Sequence, residues 1–193
     1  DRLTGVTWKA AGGATVNTLT YTYDNNGDLL TAQDKNGTIA LGYDQLGRLV
    51  TRQDVFGVLL TYTWDAADRR TGVQDSLGGL LTSVYDAADR LTSRQFGGTG
   101  QTPVRIDFGY SNRDELTSLT RYSDLGGTTV VGTTAYSHDD AGRLTSIVNS
   151  NGTGTTLSYY TTIYDSADRA TVDSWSSGSG KTGSSGTHTY VYD

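Results

Sequence analysis

Carboxylates recur along this chain in a fixed relation to arginine, and this is the pattern that could do chemistry. A glycoside hydrolase needs two carboxyl groups about 5 to 10 Å apart, and stacked copies of one turn would supply that distance by repetition alone. Aspartate at the first position of a turn is also explained by its hydrogen bonds to backbone N–H groups. We therefore interpret these carboxylates as structural: Asp44, Asp65, Asp86, Asp139 and Asp165.

An arginine follows each of these carboxylates by four positions. Its guanidinium is expected to bridge to the carboxylate or to stack on a neighbouring aromatic ring. The five are Arg48, Arg69, Arg90, Arg143 and Arg169. Because no unit carries a reactive cluster that the other units lack, the sequence predicts a protein that is not an enzyme and has no catalytic residue.

Metal and cofactor chemistry is not indicated either. His138 and His188 lie far apart in the sequence, which argues against a metal centre and against a Ser-His-Asp triad. The stretch 24–28 is rich in oxygen ligands, but it lacks the later acidic ligand of a calcium loop. We expect no cofactor and no metal site.

Aromatic residues offer one binding alternative. Rows of exposed rings can stack on sugars, and Trp8, Trp64 and Trp175 with the tyrosines could form such a surface. Where tyrosine alternates with leucine or isoleucine, packing as the core between repeats is the simpler interpretation. Two Asn-Gly-Thr triplets, at 36–38 and 151–153, match the N-glycosylation pattern and equally match a turn, so the sequence leaves glycosylation open.

An aromatic or histidine residue followed by aspartate or serine recurs at intervals of 20, 21, 21, 25, 28, 26 and 28 residues. Periods in this range are typical of stacked supersecondary units. The pairs are Tyr23-Asp24, Tyr43-Asp44, Trp64-Asp65, Tyr85-Asp86, Tyr110-Ser111, His138-Asp139, Tyr164-Asp165 and Tyr192-Asp193.

Each unit contains two turns and hence two strands. The first has the form Asp-x-x-Gly, typical of a type I turn, and ends at Gly27, Gly47 or Gly142. Where aspartate replaces this glycine, at Asp68, Asp89 and Asp168, a left-handed backbone is still expected. The second turns are predicted at 34–37, 54–57, 75–78, 124–127 and 149–152.

The segments between turns alternate as strands do: Ile39, Leu41 and Tyr43 share one face. No stretch shows helical periodicity, so an all-β antiparallel hairpin array is predicted, with surface loops at 97–103 and 176–186. We further expect 1–193 to be a single array, truncated within a repeat at both ends and so part of a longer protein.

The composition of the chain argues against some classes of partner. The net charge of −6 and the lack of a Lys/Arg run argue against nucleic acid. No apolar run approaches the roughly 18 residues of a membrane helix. There is no cysteine, so disulfides are excluded, although this does not exclude an extracellular protein.

The units at 43–49, 85–91 and 138–144 resemble the YD repeats of the RHS family, which includes Rhs and Tc-type toxin shells, teneurins and bacterial surface proteins. The resemblance covers nearly the whole chain and implies a hairpin strip that forms a solenoid, a tube or a segment of a shell. The motif residues it assigns are Tyr23, Asp24, Gly27, Tyr43, Asp44, Gly47, Arg48, Leu49, Trp64, Asp65, Arg69, Tyr85, Asp86, Arg90, Leu91, Tyr110, Asp139, Gly142, Arg143, Leu144, Tyr164, Asp165, Arg169, Tyr192 and Asp193.

Three units depart from the family pattern. Asp28 stands where arginine is expected, Ala170 replaces leucine, and the unit at 110–116 lacks the aspartate and has Glu115 in the arginine position. The last is expected to be degenerate, with an uncertain strand register near 96–125. The Pro-rich autoproteolytic core of shell-forming members has no counterpart in this sequence, where Pro103 is the only proline.

The sequence therefore predicts a non-enzymatic structural segment of a large bacterial protein that is secreted or displayed at the cell surface. Its partners would be neighbouring repeats of the same protein, with self-association into a fibre as one form. Two alternatives remain: part of a hollow shell around a C-terminal toxin, or a carbohydrate-binding adhesin.

Overall fold

The computed structural model describes residues 1–178 and 183–193, and these residues form strands and turns but no helix. The all-β antiparallel prediction is confirmed. Among the described residues no helix is long and apolar enough to cross a membrane. The sixteen strands found there follow one another in the sheet in sequence order. They are β1 Gly5–Lys9, β2 Thr15–Tyr23, β3 Leu29–Asp34, β4 Gly37–Tyr43, β5 Leu49–Gln53, β6 Leu59–Trp64, β7 Arg70–Asp75, β8 Gly79–Tyr85, β9 Leu91–Gly98, β10 Val104–Tyr110, β11 Leu116–Tyr122, β12 Val130–His138, β13 Leu144–Asn151, β14 Thr156–Tyr164, β15 Ala170–Ser177 and β16 Ser184–Thr189.

The chain divides into two compact units. Unit 1 comprises residues 1–82 and 98–101, and unit 2 comprises 83–97 and 102–193. Within unit 1, β1 to β7 pair antiparallel with their sequence neighbours. Within unit 2, β9 to β16 do the same.

Cross-strand partners share a face of the sheet, so the register of unit 1 separates its side chains into two kinds. Tyr21 pairs with Ala32, which pairs with Ile39. One face is therefore mainly aliphatic and aromatic. The opposite face carries threonine, glutamine and glycine, as in the pairs Thr22 with Thr31, Gly42 with Thr51, and Thr61 with Gln74. Threonine is well suited to such a pleated surface.

Every hairpin that turns at an aromatic-Asp or equivalent pair, hereafter a first turn, connects its strands with five residues. A bulge, with its register shift, lies at the aromatic position wherever the register is described: at Tyr23, Tyr43 and Trp64 in unit 1 and at Tyr110, His138 and Tyr164 in unit 2. Such bulges re-aim the adjacent side chain. Here the residue re-aimed is the aromatic of the motif.

The last turn residue is left-handed, as predicted. Gly47 has φ of 77°, and the aspartates at 68, 89 and 168 have φ of 60°, 62° and 62°. Asp114, which belongs to the unit expected to be degenerate, also has φ of 63°. The bulge at Tyr110 is likewise the same as in the other units. The strand register at this turn, which the sequence left undetermined, is therefore that of the other first turns.

The aromatic and aliphatic side chains do not form a closed core. Among the described residues, no apolar side chain is fully buried, and Trp8 and Tyr160 are 54% and 49% exposed. The nearly buried polar side chains are instead Ser83, Ser93 and Thr134. The strands of each unit lie side by side, so a side chain has close neighbours mainly along the sheet. The predicted core between repeats is thus half-exposed.

Three boundaries differ from the sequence prediction. The turn expected at 149–152 begins at Asn151, because the Asn151 N–H donates to Thr155 O and the Gly154 N–H to Asn151 O. Asn149 belongs to β13. The loop expected at 97–103 begins after Gly98, the last residue of β9. Much of the loop expected at 176–186 pairs as strand, and its central residues, 179–182, lie outside the described residues.

Candidate functional site: an arginine clamp between successive turns

The first carboxylate of each motif organises its own turn. Asp44 Oδ1 accepts hydrogen bonds from the backbone N–H groups of Leu46 and Arg48, at 2.9 and 3.0 Å. Its second oxygen, Oδ2, accepts from Arg48 Nε at 2.8 Å. A short polar side chain that bonds its own backbone in this way favours a turn over a continued strand. The same carboxylate therefore closes the turn and orients the arginine.

The arginine held in this way reaches the next first turn. Arg48 Nη1 donates to the carbonyl oxygen of Asp65 at 3.0 Å and to Asp68 Oδ1 at 2.8 Å. Its guanidinium also lies over the ring of Trp64, with Cζ 6.0 Å from the ring centroid. A planar guanidinium can satisfy a carboxylate, a carbonyl and an aromatic face at once, because its donors point outward in one plane.

The aromatic residue makes the return contact. Trp64 Nε1 donates to the carbonyl oxygen of Leu49 at 2.8 Å. Arg48 and Leu49 of one turn thus bind Trp64 and Asp65 of the next. We call this reciprocal set of contacts the clamp.

The clamp recurs within unit 2. Arg90 lies over Tyr110 and donates to Ser111 O and Asp114 Oδ1. Arg143 lies over Tyr164 and donates to Asp165 O and Asp168 Oδ1. The phenol hydroxyls complete the exchange, through Tyr110 to Leu91 O at 2.9 Å, Tyr164 to Leu144 O at 3.0 Å and Tyr192 to Ala170 O at 2.6 Å.

The remaining motif arginines and rings make some of the same contacts. Arg2 donates to Asp24 O and lies over Tyr23, whose hydroxyl donates to Leu3 O. Arg169 pairs with Asp165 at 2.8 Å and lies over Tyr192. Arg69 pairs with Asp65 at 2.7 Å. Tyr85 ends β8, just before the turn that Asp86 closes through the N–H groups of Ala88 and Arg90.

In the unit at 110–116 the acidic and basic residues stand at exchanged positions, with Glu115 in the arginine position and Arg113 before it. Ser111 Oγ accepts from the N–H groups of Arg113 and Glu115, in place of the missing aspartate. Glu115 accepts from Ser111 Oγ and from Arg113 Nη2. Arg113 then reaches the next turn, where it donates to Asp139 O and Asp140 O at 2.7 and 2.6 Å. Arg113 therefore makes the backbone contacts of a clamp, and the motif alignment misses it because it stands two positions before the usual arginine.

One first turn lacks the clamp arginine. Asp28 occupies its position, and Asp24 Oδ1 accepts from the backbone N–H groups of Gly27 and Asp28. The following ring, Tyr43, therefore has carboxylates nearby instead of a guanidinium. Burial raises the pKa of the Tyr43 phenol, and the charges of Asp28 and Asp24 raise it further.

A similar arrangement joins two second turns in unit 2. Arg105 forms a bidentate pair with Asp107, with both distances 2.8 Å. Its Nη1 donates to Leu125 O, and its guanidinium lies over Tyr122. The signal in the sequence is only an arginine two residues before an aspartate within one strand. The motif alignment therefore could not find it.

The electrostatics of the clamp favour its charged form. The Arg48 N–H lowers the pKa of the Asp44 carboxyl, and the Asp44 side chain raises the pKa of Arg48. The side-chain hydrogen bond from Arg143 likewise lowers the pKa of Asp139. The Asp44 and Asp139 carboxyls are thus stronger acids than a free aspartate, which disfavours them as proton donors at neutral pH.

The other candidate groups from the sequence are not brought together into a reactive site. His138 ends β12, and the His188 ring lies 6.5 Å from that of Tyr190. Within the described part of the chain, no three histidine or acidic side chains cluster as metal ligands would. A groove of about 310 Å³ in unit 1 is mainly apolar, with Leu19, Ile39 and Val55 among its lining residues.

The comparison with family models gives one match. Residues 43–80 match the model described as RHS Repeat. This segment begins at the Tyr43-Asp44 pair and contains the whole Arg48 clamp, including Trp64, Asp65 and Asp68. Over these residues the resemblance to the RHS/YD-repeat family is confirmed. A search of curated protein sequences finds no match.

Solved structures give distant similarities. A Tc holotoxin pore from Photorhabdus luminescens has a TM-score of 0.39 and 15% identity, over 98% of this chain and 14% of that one. A TcdB2-TccC3 structure lacking its hypervariable C-terminal region gives the same values. A porin-like protein from Bacteroides uniformis has a TM-score of 0.42 and 16% identity, over 89% of this chain and 86% of that one. The chain thus spans about one seventh of the Tc proteins, and the TM-scores are too low to transfer a fold or a function.

Proposed function

Because residues 43–80 carry an RHS repeat, we propose that the chain is a structural array that forms part of the wall of a larger bacterial protein outside the cell. The observation that carries this proposal is the clamp. Each clamp uses side chains of one first turn to bind the backbone and the ring of the next, so the recurring motif residues hold successive repeats together.

The clamp explains how such a wall is held without a deep core. Its hydrogen bonds are charge-assisted, and its cation–π contacts lie at a partly covered surface, where each contributes roughly 0.5–1 kcal/mol. Repetition multiplies this modest contribution along the array, and stability becomes a sum of neighbour interactions. The stability of the array is then distributed over many equivalent turns.

The proposal is tested on the full-length protein by replacing Arg48, Arg90 and Arg143 with methionine. Methionine keeps much of the side-chain volume and removes the donors. The matched control is Arg94→Met, because Arg94 is exposed on β9 and donates no hydrogen bond to the described residues. We expect the clamp variant to be cleaved much faster by protease than the control variant. Equal protease resistance of the two proteins would reject the structural role.

Electron cryo-microscopy of the same particle separates the forms that the wall can take. A closed wall with density inside would identify a shell around a cargo such as a toxin. A continuous strip in which copies follow one another would identify a fibre.

Binding to sugars is the remaining alternative and has its own test. A glycan array probed with the full-length protein would show binding that is lost when Trp8 and Trp175 are replaced by alanine, if the chain is an adhesin. Trp64 is left unchanged, because its ring belongs to the Arg48 clamp.

A further inference from the structure

Three Asn-Gly pairs lie in turns of this chain, and the structure treats them differently. They are Asn26-Gly27, Asn36-Gly37 and Asn151-Gly152. Asn-Gly is the pair in which the backbone nitrogen after asparagine is least hindered from approaching the side-chain carbonyl carbon, because glycine has no Cβ. The sequence alone gives no reason for one pair to react before another.

The side-chain carbonyl of Asn151 is surrounded by donors. Its Oδ1 accepts hydrogen bonds from the Thr153 N–H at 3.1 Å, the Thr153 hydroxyl at 2.8 Å and the Thr155 N–H at 2.9 Å. Donors fixed on a carbonyl oxygen stabilise the negative charge that develops there when a nucleophile adds to the carbon. The three donors around Asn151 form such an arrangement.

The adjacent backbone nitrogen is also free to react. The Gly152 N–H donates to no carbonyl or carboxylate among the described residues, and Gly152 is exposed at the tip of the β13–β14 turn. Nor does Asn151 Nδ2 donate a hydrogen bond within this described part of the chain, so the leaving nitrogen is not held.

The other two pairs lack this combination. The Gly27 N–H donates to Asp24 Oδ1 at 2.8 Å. The Asp34 carboxylate lies beside the Asn36-Gly37 pair, where its Oδ1 accepts from the Asn36 N–H at 2.8 Å. A nearby carboxylate makes an amide N–H harder to deprotonate, because the resulting anion would lie beside a negative charge. Asn36 Nδ2 is in addition held by Asp34 Oδ2 at 2.9 Å.

We propose that Asn151 is a site of spontaneous deamidation, at which the turn itself promotes the reaction. The Gly152 N–H gives its proton to solvent base, and the nitrogen forms a bond to Asn151 Cγ. The Cγ–Nδ2 bond then breaks, and the nitrogen leaves as ammonia after taking up a proton, so that a cyclic imide is formed. Water opens either C–N bond of the imide and yields aspartate or isoaspartate at position 151.

The aspartate product fits the turn. In the corresponding turn of unit 1, Asp54 Oδ1 accepts from the N–H groups of Phe56 and Val58, both at 2.9 Å. Those donors stand two and four residues further on, as Thr153 and Thr155 do after Asn151. Deamidation thus converts Asn151 into the residue that another second turn already uses, and it adds one negative charge. The isoaspartate product lengthens the backbone by one carbon and disturbs the turn.

The test follows the three asparagines in one sample of the folded protein. The protein is incubated in mildly alkaline buffer, and peptide mapping by mass spectrometry records the gain of about one dalton at each site. We expect Asn151 to react at least about tenfold faster than Asn26 and Asn36, the scale of effect expected from fixed carbonyl donors. In denaturant, the three rates should converge.

A variant separates the turn from the sequence. Thr153→Ala removes one donor to Asn151 Oδ1 and leaves the two backbone donors, so it should slow the reaction several-fold in the folded protein and leave the rate in denaturant unchanged. Gly152→Ala is avoided, because a Cβ there would collide with Val130 O. An Asn151 rate at or below that of Asn36 in the folded protein, or an unchanged rate in Thr153→Ala, would overturn the proposal.

Discussion

At the scale of single residues, the clamp explains why arginine and not lysine follows each first turn. Arg48 must satisfy Asp44 through Nε while Nη1 bonds a carbonyl and a second carboxylate. Lysine has one nitrogen and no planar surface to place over Trp64, so it could keep the charge but not the geometry.

We therefore expect Arg48→Lys to lower the melting temperature by a few degrees, while Arg94→Lys leaves it unchanged. Arg94 is exposed and lies outside the clamps, which makes it a matched control for the change in chemistry. Thermal unfolding followed by circular dichroism measures both. If Arg48→Lys melted at the temperature of the parent protein, the several contacts of the guanidinium would be shown to contribute nothing beyond charge.

The incomplete clamp at Asp28 can be completed by substitution. Asp28→Arg would place a guanidinium near Tyr43, and we expect it to stabilise the protein by about 0.5–1 kcal/mol, as a cation–π contact at a partly exposed site does. Chemical denaturation measures this gain. Asp28→Leu, which removes the negative charge without adding a guanidinium, is the control, and an equal gain in both variants would assign the effect to charge removal alone.

A second substitution tests whether the left-handed aspartate acts with the preceding arginine. A Cβ at Gly47 would lie 3.8 Å from Asp28 Oδ2, so Gly47→Asp should be destabilising in the parent protein. In the Asp28→Arg background the new carboxylate would instead meet a guanidinium, as Asp68 meets Arg48. We expect the sign of the effect to reverse between the two backgrounds in a double-mutant cycle, and purely additive effects would contradict this coupling.

The contacts within one turn could largely be predicted from the sequence, but the contacts between successive turns could not. The motif indicated that Asp44 and Arg48 would pair, since they are four residues apart and flank one turn. It did not indicate that Arg48 would also bond Asp65 O and Asp68, because these contacts depend on the distance between successive turns in three dimensions. The role of Arg113 is not predictable from the motif for a related reason, because Arg113 bonds the next first turn from a different position in its own turn.

At the scale of elements, the first turn and its bulge act as one device. The left-handed residue closes the turn, and the bulge at the preceding aromatic directs that ring toward the turn before it. The hairpins and the left-handed aspartates were predictable, because turn chemistry is local. The second turn at Asn151 was placed two residues early because two asparagines stand there, and only strand pairing decides which begins the turn.

Gly47→Val tests how far damage to one turn spreads. Gly47 has φ of 77°, and a β-branched residue in this region costs about 1–3 kcal/mol. Hydrogen exchange should show faster opening of β4, β5 and the hairpins next to them, with little change in β1. Uniform acceleration over all of unit 1 would contradict the nearest-neighbour description of the array.

At the scale of the whole molecule, the clamps and the turn carboxylates make the stability of the fold depend on pH. Hydrogen bonds from Arg48 and Arg143 lower the pKa of Asp44 and Asp139, and the N–H groups of Thr128 and Thr129 lower the pKa of Asp124 to about 2. The unfolded chain therefore takes up protons first as the pH falls, near the ordinary aspartate pKa of about 3.9. Stability from these groups is complete above that pH and is lost below it, until the folded carboxyls also titrate.

We accordingly expect the melting temperature to be nearly constant from neutral pH down to about 5 and to fall steeply between about 4 and 2. Thermal unfolding across this range measures the dependence. In Asp139→Asn the fall should be shallower and the neutral-pH melting temperature lower, because one titrating partner is gone. A melting temperature that rose on acidification would show that repulsion among excess carboxylates outweighs the clamps.

The two kinds of turn differ in how far their lengths vary along the chain. First turns always connect their strands with five residues, whereas second turns use two residues between β3 and β4 and seven between β11 and β12. The drift in the repeat period therefore lies in the second turns and in the lengths of the strands, and none of it lies in the first turns. We therefore expect the second turns to tolerate added sequence, whether a natural insertion or an engineered epitope. An array of this kind can acquire new surfaces there while the clamps between first turns stay unchanged.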